Sequence, residues 1–324
     1  MPGSGTHTFV RPEHYETGLR QALIEAVITL CGKFQARLTW VELHNMKLLR
    51  CEEDFPRIGY FSFPPDLAVI AFPISSMRFP VWGGIALQAE NIMFHSRGER
   101  LHQAMSAAFI WGLIAIDPNQ LEKYGRALAG NPLLPPPEGR VLRPSARDAA
   151  RLRRLHAQAC RLAETKPKIL AHPEVARAIE QGLLLPLVTC LTAAKVQENG
   201  AVKRHHARIM IRFEEVLAEH LGQPLRVPDL CELIGVTGRT LRLCCAEFLG
   251  ISPSRYVMLR RLKHVNLALR SADPSMVNVA ELARRFGFTE LGRFAGAYQA
   301  AFGEPPSTTL RRAPESRFHR PVTF

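Results

Sequence analysis

Apolar positions change rhythm along the chain. Over residues 34–115 they come in short runs: "ARLTWVELH" (36–44), "IGYFSF" (58–63), "LAVIAFPI" (67–74) and "AAFIWGLIAI" (107–116). Pro, Gly and charged residues separate them, which predicts many strands and hence a β-sandwich or small barrel. The Pro-rich "NPLLPPPEGR" (131–140) reads as a boundary loop. Beyond it, 145–167 and 173–195 have helical spacing, and "QENGAVKRHH" (197–206) reads as a linker with a Gly stop. From His205 the pattern is all-helical, beginning with the stripe Ile209, Phe213, Val216, Leu217 and Leu221, closed by Gly222 and Pro224.

The helical part repeats itself. Pro228 and Asp229 open a short helix, Gly235 stops it, and Thr237 caps a second helix that ends near Gly250. A longer helix over 252–271 is broken by Asp273 and Pro274. Asn278 and Glu281 then open "VAELARRFG", Gly287 stops it, Thr289 caps, and the last matching helix runs to about Phe302. Gly-apolar-Thr-helix therefore occurs at Gly235 and again at Gly287, 52 residues later. Each copy is a helix, a Gly turn and a capped second helix, which is helix-turn-helix order written twice.

The first copy suits a DNA major groove. Leu241 and Cys245, four apart, belong to the inner face, while Arg239 and Arg242 share the other. An arginine can bond guanine O6 and N7 together, at about 1–3 kcal/mol of discrimination. The free N–H groups at the Thr237 end, with Gly238 and Thr240 in the same turn, suit a phosphate. The helix over 252–271 would be about 30 Å long. One turn of B-DNA is about 34 Å, so such a connector can set two reading helices into successive grooves. In the second copy Phe294, Tyr298 and Phe302 recur every four residues and are core. Only Arg293 and Glu290 offer specific hydrogen bonds there. The second helix is therefore expected to anchor phosphates, touch thymine methyls and read shape. Thr289, Glu290, Arg311 and Arg312 complete the phosphate candidates.

Composition sharpens this picture. The 324 residues are 47% hydrophobic and 22% charged, enough for two folded domains. Net charge is +13 and uneven: 14 basic against 13 acidic residues over 1–145, 9 against 5 over 146–200, and 19 against 11 over 201–324. A neutral front and a basic back favour double-stranded DNA as the partner of the back half, ahead of an anionic membrane. The seven Cys are odd in number and form no CxxC, which argues against a disulfide framework and for a reducing cytoplasm. "MPGSGTHTFVRPEHY" lacks a signal-peptide layout, and the apolar runs 109–116 and 182–194 are shorter than a membrane span.

At these residues the chain resembles the AraC/XylS family of bacterial transcription regulators. The likeness covers about 205–313 and lies in "DLCELIGVTGRTL", "RRLKHVNLAL", "VAELARRFGF", "GRFAGAYQAAFG" and "PPSTTLRR". The one-residue-longer turn before Phe294, relative to Leu241, is also a family trait. The resemblance implies base contacts from Arg239, Arg242 and Leu243 in the first unit and from Leu291, Gly292, Ala295 and Gly296 in the second; Arg293 is grouped with these. Leu243, Gly292 and Gly296 stand where polar or basic residues are common in the family. A looser resemblance makes the front half a cupin-like regulatory domain that senses a small molecule or mediates homodimerisation. RNA polymerase is the further partner if the protein is an activator.

The expected architecture is multidomain α and β. A β-rich barrel or sandwich spans 1–145, a helical linker with a possible dimerisation role 146–204, an all-α double helix-turn-helix 205–313, and a basic tail 314–324. The rival from another class is a metal-dependent cupin-type enzyme tethered to a nonspecific nucleic-acid-binding half. Its nearest ligand set, Glu90, His95, Glu99 and His102, contains no HxH pair. His205, His206, Cys231, Cys244 and Cys245 lack zinc-finger spacing and read as ordinary helix residues. No catalytic residue, metal or cofactor is therefore expected. Trp40, Trp82, Trp111, Phe61, Phe63, Phe72 and Phe79 are expected as core, with an effector pocket the rival reading. "RDAARLRRLH" (147–156) is expected as a solvated helix face, and 173–195 suits a dimer surface and internal packing equally.

Overall fold

The structure is a computed structural model, and it describes residues 2–19, 23–76, 78, 80–197 and 200–312. It opens with β1 (Gly3–Phe9), α1 (Pro12–Gly18), β2 (Leu23–Ile28), β3 (Ala36–Glu42), β4 (Met46–Glu53) and β5 (Arg57–Ser62). Next come β6 (Ala68–Ser76), β7 (Val81–Trp82), β8 (Ile85–Ala86), β9 (Ile92–Phe94), β10 (Arg100–Met105) and β11 (Phe109–Ile116). Helix α2 (Pro118–Ala129), β12 (Arg140–Arg143), α3 (Ala146–Thr165), α4 (Pro167–Leu170), α5 (Pro173–Thr192) and β13 (Lys195–Gln197) follow. The rest is helical: α6 (Ala201–Glu219), α7 (Val227–Ile234), α8 (Gly238–Leu249), α9 (Pro253–Ser271), α10 (Val279–Arg285), α11 (Leu291–Phe302) and α12 (Pro306–Arg311).

The strands form two antiparallel sheets, one in the order β1-β3-β4-β11-β6-β9-β12-β13, the other β2-β5-β10-β7-β8. Their facing sides enclose one core, with Leu38, Cys51, Phe61, Trp82, Leu101 and Trp111 inside. Trp82, Trp111, Phe61, Phe63 and Phe72 are all buried, Trp40 is half-buried, and Phe79 lies outside the described residues. The eight-stranded sheet is also covered on its outer face. There Leu48, Ile70, Phe72 and Ile114 meet Leu152, Leu183 and Leu187 of α3 and α5. Alternate residues of one strand thus enter different cores: Val69 and Ala71 one, Ala68, Ile70 and Phe72 the other. Burial on both faces is why "LAVIAFPI" and "FIWGLIAI" are apolar throughout and do not alternate.

Helix α3 turns Leu152, His156, Ala159, Cys160 and Ala163 inward, an i, i+4, i+7, i+8, i+11 stripe. Its Arg147, Arg151 and Arg154 are exposed. Helix α5 is 20 residues long and apolar enough by composition to cross a membrane. The shorter run 182–194 understated that length, and the structure lays the helix against the sheet with Leu183, Leu187, Val188 and Cys190 buried. Two boundaries are corrected. Residues 201–206, read as linker, already belong to α6, because extended Gly200 supplies its N-cap. Lys195–Gln197 is strand β13, paired with β12 at the sheet's edge. Residues 313–324, which include the basic tail, lie outside the described residues.

The helical half holds two further cores. The second contains Leu262, Val265, Leu282, Phe294 and Tyr298. The first contains Phe213, Leu241, Cys245, Phe248 and Tyr256, together with Val27 and Ile58 from the five-stranded sheet. That sheet is therefore shared: one face looks into the β core, the other is a wall of the first helix-turn-helix.

His156 stacks edge-on against Phe72, ring centroids 5.1 Å apart, and is fully buried. Burial lowers its pKa to about 4. A histidine held neutral in the fold stabilises fully above its unfolded pKa near 6.5, and that stability is lost as pH falls toward about 4. Urea titrations should show stability declining by roughly 2–3 kcal/mol across that window. His156→Leu should flatten the decline.

Candidate nucleic-acid interface

Local chemistry fixes each helix end of the double unit. Asp229 Oδ2 accepts the Arg226 N–H at 2.7 Å and opens α7. Gly235 closes it in the left-handed region, φ 79°, where a side chain would be strained. Thr237 Oγ1 accepts the Thr240 N–H at 3.1 Å and caps α8. Asn278 Oδ1 accepts the Glu281 N–H at 2.8 Å and caps α10. The expectation for Thr289 is corrected: the N-cap of α11 is Glu290, with no side-chain capping bond. The turn is one residue longer here, so Glu290 occupies the place that Thr237 has before α8. Its carboxylate instead pairs with Arg293 at 3.0 Å.

The second helices of the two units, α8 and α11, differ in what they present. On α8, Arg239, Arg242 and Leu243 are exposed, Leu243 to 51%, while Leu241, Cys244, Cys245 and Phe248 are buried. On α11, Gly292, Arg293 and Gly296 are exposed, Leu291 and Ala295 half-buried, and Phe294 and Tyr298 buried. A Cβ on Gly292 or Gly296 would meet nothing within 4 Å, so the outer face of α11 is bare backbone. Thr237, Thr289, Glu290, Arg311 and Arg312 are exposed, Gly238 and Thr240 half-buried. Arg312 pairs with Glu304 at 2.6 Å. Connector α9 has 19 residues, or about 28 Å of helix.

The front domain grips this assembly through a buried polar hub that the sequence did not reveal. Glu214 of α6 is 2% exposed. Tyr256 O–H donates to it at 2.6 Å, His102 Nε2 of β10 lies 2.7 Å away, and Arg260 pairs with its other oxygen. Arg260 then donates to Glu25 of β2 at 3.0 and 2.8 Å. Lys263 reaches Glu16 at 2.7 Å, and Arg100 reaches Glu215 at 2.8 Å. Burial alone would raise the Glu214 pKa, but Arg260, His102 and Tyr256 outweigh it and hold it below the ordinary carboxylate value. The front domain also touches the far ends of both reading helices. Gly84 lies on the Phe248 ring of α8, and Cys31 on Gly303 after α11.

The other constellations are placed as follows. His95 Nδ1 lies 2.8 Å from Glu99, whereas His102 faces Glu214 across the domain junction, so the two histidines serve separate partners. Among the described residues no three His, Cys, Asp or Glu side chains gather as a metal site. His206 pairs with Glu247 at 2.7 Å. Burial pushes the Cys244 thiol up to about 11 and raises Cys245 further, so both pack as small neutral groups.

Residues 230–312 match the family described as "Helix-turn-helix domain". A probable thc operon regulatory protein of Rhodococcus erythropolis is 38% identical over 152 residues, 46% of this chain and 45% of that protein. The XylDLEGF operon transcriptional activator of Pseudomonas putida is 33% identical over 101 residues, 31% of this chain and 32% of that protein. The chain thus spans less than half the length of either of these curated relatives. Among solved structures, a probable AraC family transcriptional regulator from Rhodopseudomonas palustris is 30% identical, covering 33% of this chain and 98% of that one, TM-score 0.30. The AraC-like transcriptional activator CuxR is 14% identical, covering 81% and 94%, TM-score 0.42.

Arg260→Met should destabilise the protein by about 3–5 kcal/mol, the usual result of leaving one partner of a buried ion pair uncompensated. Denaturant midpoints check it. The double change Arg260→Met with Glu214→Gln should cost less than Arg260→Met alone, because the stranded charge is gone.

Proposed function

Since the chain is a member of the AraC/XylS family of transcription regulators, we propose that it binds specific double-stranded DNA through two helix-turn-helix units in adjacent major grooves. The observation that carries this is α8, whose Arg239, Arg242 and Leu243 stand exposed on one capped, well-buried helix. Arg239 and Arg242 supply bidentate guanine donors, and Leu243 an apolar surface for a thymine methyl. The flat face of α11, at Leu291, Gly292, Ala295 and Gly296, lets backbone approach the groove and read its shape. Arg293 anchors phosphate there. Thr237, Gly238, Thr240, Thr289, Glu290, Arg311 and Arg312 are assigned to the DNA backbone. The sensing role is assigned to 1–145, the helices over 146–200 to packing, and DNA reading to the helical half that opens with α6 at Ala201.

A small-molecule effector is assigned to a cavity of about 390 Å³ between the front domain and the second unit. Ile28, Phe34 and Phe55 line it from one side, Leu259, Leu267 and Phe302 from the other. A ligand there touches both domains at once, the condition for changing how they sit together. A homodimer is assigned to the apolar groove between α3 and α5, around Leu155, Leu162, Val175 and Ile179. RNA polymerase is the further partner of an activator. The relatives with operon titles support regulation over catalysis, and a cytoplasmic location follows from that role.

Random duplex DNA selected on the full chain should enrich two sequence blocks about one helical turn apart. Arg239→Ala and Arg242→Ala should each relax preference at one base pair, at about 1–3 kcal/mol. Arg293→Ala should weaken all sites alike. Binding should fall steeply with salt through counterion release. Binding without an enriched motif would overturn the reading. For the effector, a metabolite screen should find a stabilising ligand whose thermal shift is lost in Leu267→Trp, which fills the cavity.

A further inference from the structure

A second cavity, about 340 Å³, opens where the β9–β10 turn faces the start of α6. Arg97 and Arg100 reach it from the front domain, Lys203, Arg204 and Arg208 from the helix, with Glu99 and Glu138 as its acidic lining. Most of these charges are already answered. Glu138 lies 3.7 Å from Arg204, Arg100 donates to Glu215, and Glu99 is held by His95 at 2.8 Å and the Ser96 N–H at 3.1 Å. Arg208 donates only to the Arg204 carbonyl, at 3.4 Å, among the described residues. Arg97, Lys203 and Arg208 have no carboxylate partner among the described residues. Lys203 is half-buried, while Arg97 and Arg208 are exposed at the cavity's mouth. Three like charges lining one cavity repel one another, and an anion among them relieves that repulsion. Met93, Leu101, Met210 and Phe248 give the lining its apolar part, and Ser96 and His102 complete its polar part. Trp82, also lining it, is fully buried, and its indole N–H has no acceptor among the described residues.

We propose that this cavity binds a small organic phosphate, with the phosphate among Arg97, Lys203 and Arg208 and the organic body on Met93, Leu101 and Phe248. Three unanswered cations favour a phosphate monoester over a carboxylate, because it carries nearly two charges and three strong acceptor oxygens. Ligand pockets run from about 300 to 1,000 Å³, so this one takes a body of one or two rings. The site is separate from the effector cavity assigned above, and its test needs no DNA.

The test is calorimetric titration of the full chain with 1-naphthyl phosphate, 1-naphthol and inorganic phosphate. The naphthyl phosphate should bind about tenfold or more tighter than either fragment, as charge-assisted bonds add to apolar burial. Lys203→Gln with Arg208→Gln should weaken it by about tenfold or more and leave naphthol unchanged. Lys33→Gln, in the other cavity, should keep wild-type affinity. Arg97→Gln, on an exposed turn, repeats the charge test if the double variant misfolds. Naphthyl phosphate binding no tighter than naphthol, or wild-type affinity in the charge variants, would overturn the proposal.

Discussion

A carboxylate taken almost wholly out of water must have its charge met by partners in fixed positions, and Glu214 is met from two domains. An apolar side chain in its place would avoid the desolvation cost. What the charged arrangement adds is orientation. Tyr256, Arg260 and His102 converge on two oxygens only when α6, α9 and β10 dock in one way. Arg260 extends the same constraint to β2 through Glu25. The reading helices α8 and α11 inherit their placement relative to the front domain from this junction, with Gly84 and Cys31 as secondary contacts at their ends.

The helical half was largely legible in the sequence because backbone requirements punctuate it. Gly235 and Gly287 are needed at positive φ, and Thr237 and Asn278 act locally as caps. Such signals need no knowledge of the rest of the chain. Thr289 misled because one extra residue moves the cap position to Glu290, a shift that only the helix geometry reveals. In the front half, the strongest strands were legible as apolar runs, whereas β1 and the two-residue β7 and β8 depend on their partners and carry little signal of their own. The docking of α3 and α5 on the sheet was equally hidden, since an apolar stripe does not say what it faces. The junction was least legible of all. Glu25, His102, Glu214 and Arg260 are scattered over more than two hundred positions, and each looks like an ordinary surface residue.

Helices α8 and α11 differ in the size of the side chains they expose. Helix α8 carries long donors above a fully buried inner face, so its outward groups are held on a rigid support. Helix α11 exposes glycine at two positions one turn apart, and its arginine is tied to its own cap residue. Exposed hydrogen-bond donors therefore concentrate on α8 and exposed backbone on α11. Both units hang on one connector, α9, whose buried Leu262, Val265 and Leu269 belong to the second core while Tyr256 and Val257 belong to the first.

The sharing of the five-stranded sheet between two cores has a consequence for how the chain can be divided. Cutting it before α6 would bare the helical surface that Val27 and Ile58 now cover, and would strand Glu214 without His102. The front domain would in turn show apolar β2 and β5 side chains to water. Neither piece is closed by itself, so the boundary drawn on function does not coincide with a boundary of folding. The helical half borrows a wall from the domain beside it, and a change in how that wall sits is felt in the helical half's own core.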